Sequence, residues 1–176
     1  MTEQSISLND KTMRVEKYKV YRIVPFETDV EVGDFAYPSK WEVKGERKKK
    51  IEDCLEANRP KSYPKRDECL YVCFSKENAY KWAYIKYGRQ NTSYKLLTLE
   101  LTGDLYWFML DCYNLLSDKF THGQLDKACV DYWESMTESE KDLTLDKGFE
   151  GLFMGEAIVK AIEHKNFING ESLDIE

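Results

Sequence analysis

A chain of 176 residues, 42% hydrophobic and 14% aromatic, is long enough for one domain with a real core and excludes a disordered or fibrous protein. Its formal net charge of -6 excludes broad attraction to nucleic acid or to an anionic membrane surface, while leaving room for a local basic patch. Five cysteines with no CxxC spacing and only two histidines, His122 and His164, argue against a disulfide framework and against a zinc site, so no metal is expected. Met1 to Lys11 is polar and unlike a signal peptide, and no apolar run approaches the roughly twenty residues of a membrane span. The expectation is a reduced, cytoplasmic protein without membrane contact.

In chain order, Met1 to Lys17 is polar and reads as an N-terminal arm, with a core following over 18–168. Tyr18 to Phe26 reads as a strand, with Val20, Arg22 and Val24 on one face and Tyr21 and Ile23 on the other. An arginine between two valines either snorkels at a sheet edge or points into a cleft. Glu27 to Gly33 is turn-like, and Phe35 to Lys44 is irregular and holds Trp41. The charge run Glu46 to Lys50 is a solvated face leading into a short helix around Ile51 to Leu55. Asn58 to Asp67, with Pro60 and Pro64, is a loop placed to act as a lid.

The most structured stretch is Glu68 to Tyr87. Leu70 to Phe74 is a short buried strand, Ser75 caps a helix, and Ala79, Trp82 and Ala83 share one helical face before a stop at Gly88. Tyr94 to Leu101 is a further strand, closed by Thr102-Gly103-Asp104. Leu105 to Leu116 is helix throughout or strand then helix. Thr121 and Gln124 form a capping box for a helix that presents Leu125, Ala128, Cys129, Trp133 and Met136. Thr137 to Lys147 is a loop, Phe149 to Met154 a strand, Gly155 a turn, and Glu156 opens a last strand over Ala157 to Ile162. The class expected is α+β in a single domain.

Three ordered stretches resemble the ADP-ribosyltransferase family, and within it the small rifamycin-inactivating members. They are Tyr21-Arg22, the strand Tyr71-Val72-Cys73-Phe74-Ser75 with the helix Ala79 to Ala83, and Gly148-Phe149-Glu150-Gly151 followed by Glu156 to Ile162. The resemblance covers roughly Tyr18 to Ile168 and implies two small sheets at an angle, flanked by helices, with NAD between them as a substrate. It implies a catalytic carboxylate, Glu156 first and Glu150 second. Tyr21, Arg22, Tyr71, Cys73, Ser75 and Trp82 would hold the dinucleotide. It also implies a bacterial or phage-type transferase whose acceptor is a protein, a nucleic acid or a small molecule. The chain departs from the family at Cys73, where a tyrosine is frequent, and at Met154, where a partner acid two residues before Glu156 would stand. Those departures leave a second expectation, a catalytically inactive module that acts through a protein partner.

Overall fold

The computed structural model describes residues 13–39, 45–88, 92–137, 140–168 and 171–175. The protein is α+β, with one five-stranded antiparallel sheet and helices packed against it. Its strands are β1 (Met13–Pro25), β2 (Leu70–Val72), β3 (Ser93–Met109), β4 (Phe149–Ile168) and β5 (Glu171–Asp174). Its helices are α1 (Glu46–Ala57), α2 (Lys76–Tyr87), α3 (Leu110–Thr121) and α4 (Leu125–Glu134).

A long β3–β4 ribbon is the backbone of the sheet. β1 lies along the far side of β3, while β2 and β5 pair with opposite ends of β4. Between β2 and β5 the edge of β4 is covered by the segment around Phe35, where Gly33 and Ala36 donate to the Val159 and Ala157 carbonyls. The sheet also curls onto itself. Tyr21 N–H donates to the Cys73 carbonyl at 2.9 Å and Cys73 N–H returns the bond at 2.7 Å, fastening β1 to the end of β2. Inside the curl lies the main core, including Val20, Leu99, Trp107, Phe153 and Val159. The alternate residues Tyr106, Phe108 and Leu152 face the layer made by α1, α3 and α4. Both faces of this stretch are thus covered, which is why Leu105 to Phe108 reads as an unbroken apolar run. α2 closes the remaining side over Tyr94, Leu96 and Phe167.

The structure corrects several expected boundaries. β1 begins at Met13, so only residues 1–12 of the expected arm remain, and they lie outside the described residues, as does Trp41. The extension was hidden by a bulge: register shifts between Val15 and Tyr18, and Lys17 takes a φ of 50°. Gly103 does not end β3, and Gly155 does not turn the chain between two strands. The two glycines face each other in the ribbon at φ 153° and 144°. A Cβ on Gly103 would sit 2.3 Å from the Met154 carbonyl oxygen, and one on Gly155 would sit 2.5 Å from that of Thr102. They let two backbones bend and approach inside continuous strands. Leu105 to Leu116 is strand then helix, passing from β3 into α3 at Leu110. Thr121 is still part of α3, so it cannot open a capping box; α4 starts after Gln124 without a side-chain cap.

Candidate functional site

The seam between β1 and β2 opens into a cleft of about 310 Å³, walled by α1 on one side and α2 on the other. That volume is at the small end of ligand pockets, roughly 300–1,000 Å³. Among the described residues four cations line it, Arg22, Lys48, Arg66 and Lys86, with two carboxylates, Glu52 and Glu150.

At the back of the cleft the charges are paired. Arg66, from the turn Arg66–Glu68, is only 6% exposed. Its guanidinium meets Glu150 Oε1 at 2.6 Å and Glu52 Oε2 at 3.2 Å, and donates to the Tyr132 hydroxyl. Tyr132 in turn donates to Glu150 Oε1 at 2.5 Å, and Tyr113 donates to Glu52 Oε1 at 2.8 Å. The rings of Tyr71, Tyr113 and Tyr132 surround the guanidinium, with centroids 5.5, 4.8 and 5.0 Å away. Burial alone would weaken the Arg66 charge, but Glu150, Tyr132, Tyr71 and Glu52 outweigh it and hold the proton firmly. Burial, helped by Glu150 and opposed by Arg66, raises the hydroxyl pKa of Tyr132 well above its usual range. The tyrosines therefore stay neutral donors, and Glu150 is held in place by Arg66 from the turn and Tyr132 from α4.

At the mouth the cations have a different setting. Arg22 donates to the Tyr71 carbonyl at 2.6 Å and to the Ser39 hydroxyl at 2.7 Å, both neutral acceptors. Burial lowers its pKa. Burial also lowers the pKa of Lys86, and repulsion from Arg22 and Lys48 adds to the effect. Three positive groups from β1, α1 and α2 thus converge on one opening. Cys73 sits beside them, its thiol pushed up to about 12 by burial against the pull of Arg22. A thiol so protonated is no nucleophile near neutrality.

Of the residues singled out in the sequence, Arg22, Tyr71, Cys73, Trp82 and Glu150 all line this cleft. Tyr21 packs instead on the α2 side, and its backbone makes the seam. Ser75 caps α2, accepting from Asn78 N–H at 3.0 Å. Glu156 is exposed and lies opposite Thr102. It lies six residue steps along β4 from Glu150, at most about 20 Å at strand rise, and is not among the residues that line the cleft.

Sequence reasoning missed Arg66, Glu52, Tyr113, Lys48 and Lys86. Lys48 belongs to the charge run expected to be a solvated face, and Arg66 to the segment expected to be a lid loop. The available signal was Glu150 itself: a carboxylate inside an apolar strand needs a cation, and Arg66 stands just before the strand that pairs with it.

Among the described residues no helix is long and apolar enough to cross a membrane. A search of curated proteins returned no match. The family model described as a protein of unknown function, DUF2441, matches residues 5–165, nearly the whole length, and the chain belongs to that family.

Proposed function

We propose that the protein is an NAD-dependent ADP-ribosyltransferase that moves ADP-ribose from NAD to a protein, nucleic-acid or small-molecule acceptor, on an ADP-ribosyltransferase-like fold. The supporting observation is that five residues singled out from separate stretches of sequence line a single cleft. In this reading Arg22 binds a phosphate or ribose through its planar fork. Trp82 offers an aromatic wall for a ring of the dinucleotide; the Tyr71 face is already turned to Arg66. Cleavage of the ribose–nicotinamide bond builds positive charge on the sugar, as in glycoside hydrolysis. Of the two carboxylates that line the cleft, Glu150 is the one assigned to stabilise it, pre-oriented by Arg66 and Tyr132. Glu156, the first choice by resemblance, has no part in this arrangement.

The test is nicotinamide release from NAD by purified protein, with transfer to candidate acceptors followed in parallel. Glu150→Gln should abolish release while the protein still melts cooperatively, and Glu156→Gln should leave release intact. Release that survives Glu150→Gln, or wild-type protein whose melting temperature NAD does not raise, would remove the reading.

A second reading is a catalytically inactive module that binds a protein partner. It is favoured by the engagement of Glu150 Oε1 in two internal bonds. It predicts one stoichiometric partner in pull-downs, retained by Glu150→Gln.

A further inference from the structure

The structure assigns Cys54 and Cys129 as a modification site, a dithiol that a peroxide-class oxidant converts to a disulfide, stapling α1 to α4. The assignment is independent of the dinucleotide reading. Cys54 lies on α1 and is half-buried, while Cys129 lies on α4 and is fully buried. The two helices meet along one strip. Cys54 Sγ donates to Asp126 Oδ1 at 3.2 Å, and one turn further along α4 the Cys129 thiol hydrogen-bonds the Cys54 sulfur. A turn beyond that, Trp133 Nε1 donates to the Leu55 carbonyl at 2.8 Å. Residues 126, 129 and 133 share one helical face by their spacing, so this face holds Cys54 against Cys129. Asn58 Nδ2 adds a donor to the Cys54 sulfur at 3.5 Å. The other three thiols have different settings. Cys69 donates to the Lys65 carbonyl at 3.2 Å, Cys112 hydrogen-bonds Ser135, and Cys73 is enclosed beside Arg22.

Hydrogen peroxide reaches the half-exposed thiol first. The Cys54 sulfur attacks the O–O bond, which breaks, and the thiol proton leaves with the released hydroxide as water. Cys129 then attacks the sulfenic sulfur of Cys54. The S–S bond forms, the S–O bond breaks, and a second water carries away the Cys129 proton. Two thiols are oxidised and one peroxide is reduced to two waters. Burial raises the pKa of both thiols, so the dithiol is the resting state near neutrality and the site answers to a sustained excess of oxidant. A disulfide holds its sulfurs about 2.05 Å apart, closer than a thiol hydrogen bond, so the link draws α1 onto α4. α1 carries Glu52 and α4 carries Tyr132, the groups that hold Arg66 and Glu150, so the staple braces two walls of the buried cluster. It also closes a loop of roughly 75 residues, which restricts the unfolded chain.

The test incubates the folded full-length protein with hydrogen peroxide, unfolds it in iodoacetamide, and maps its peptides by mass spectrometry without reductant. One cross-linked pair holding Cys54 and Cys129 should appear, with two of the five thiols lost. The melting temperature should rise by about 5–15 °C, and dithiothreitol should reverse both changes. Cys54→Ser should remove the link and the shift together, while the peptide map is read on wild-type protein and depends on no variant folding. The assignment is overturned if Cys54 ends as a sulfinic acid while Cys129 still takes up iodoacetamide. It is equally overturned if the link joins two chains or other cysteines, or if the linked protein melts no higher than the dithiol.

Discussion

Arg66 is the residue on which the back of the cleft depends. Its charge is buried, and it neutralises Glu150 from β4 and Glu52 from α1 while three aromatic rings hold it in place. Removing one partner of such a cluster leaves the others charged and dry. Arg66→Met should therefore cost about 3–5 kcal/mol of stability, read as a lower urea midpoint. Tyr132→Phe removes one hydrogen-bond donor to Glu150 and should cost about 1–3 kcal/mol. A midpoint unchanged in Arg66→Met would show that the cluster is not stabilised by that charge. At this scale the sequence was half legible. Glu150 stood out only through the resemblance of Gly148-Phe149-Glu150-Gly151 to a family motif. That it needs a cation was legible; which cation answers it was not, because 84 positions separate Glu150 from Arg66 and only the fold joins them.

Elements built on local rules were the easiest to read. α2 begins where Ser75 offers its hydroxyl and stops at Gly88, as strand-then-cap chemistry requires. Ser75→Ala should cost about 1 kcal/mol of stability and leave ligand binding unchanged, since the side chain caps the helix and does not line the cleft. Elements set by close approach between strands were harder. Gly103 and Gly155 read as punctuation because glycine so often ends a strand, whereas here each makes room for the other. Gly151 follows the same logic. A methyl group there would lie 2.6 Å from Val72 Cγ2 and 2.7 Å from Trp107 Cζ3, in the layer where β2 pairs with β4. Gly151→Ala should cost about 1–3 kcal/mol through overpacking and displace β2, bringing Tyr71 with it. Thermal melts check the first part, and loss of any ligand-induced shift checks the second.

For the molecule as a whole, burial of thiols and phenols sets a limit on alkaline tolerance. Burial raises Cys69 and Cys73 from an ordinary value of 9.0 to about 12, and it also raises Tyr71, Tyr113 and Tyr132. Between those limits the unfolded chain has released protons that the folded protein keeps. Stability is then fully present below about pH 9 and falls as pH climbs, by about 1.4 kcal/mol per unit for each thiol. Urea unfolding from pH 7 to 11 should show a plateau and then a decline; a flat profile would contradict the buried state of these groups. The α+β class was legible from alternating strand and helix patterns. The curl of the sheet was not, because it depends on a pairing between Tyr21 and Cys73 that no local pattern announces.

That pairing has a mechanical consequence. A ring of strands fastened along most of its circumference by ladders, but at one place by a single residue pair, has a designated point of opening. Amide deuterium exchange at Tyr21 and Cys73 should be faster than at the Leu99 or Val159 amides within the β3–β4 ribbon. Arg22 and Cys73, which line the cleft, adjoin or form that clasp, so a ligand bound to both β1 and the end of β2 is expected to hold the ring shut. Occupancy should slow exchange at those two amides first.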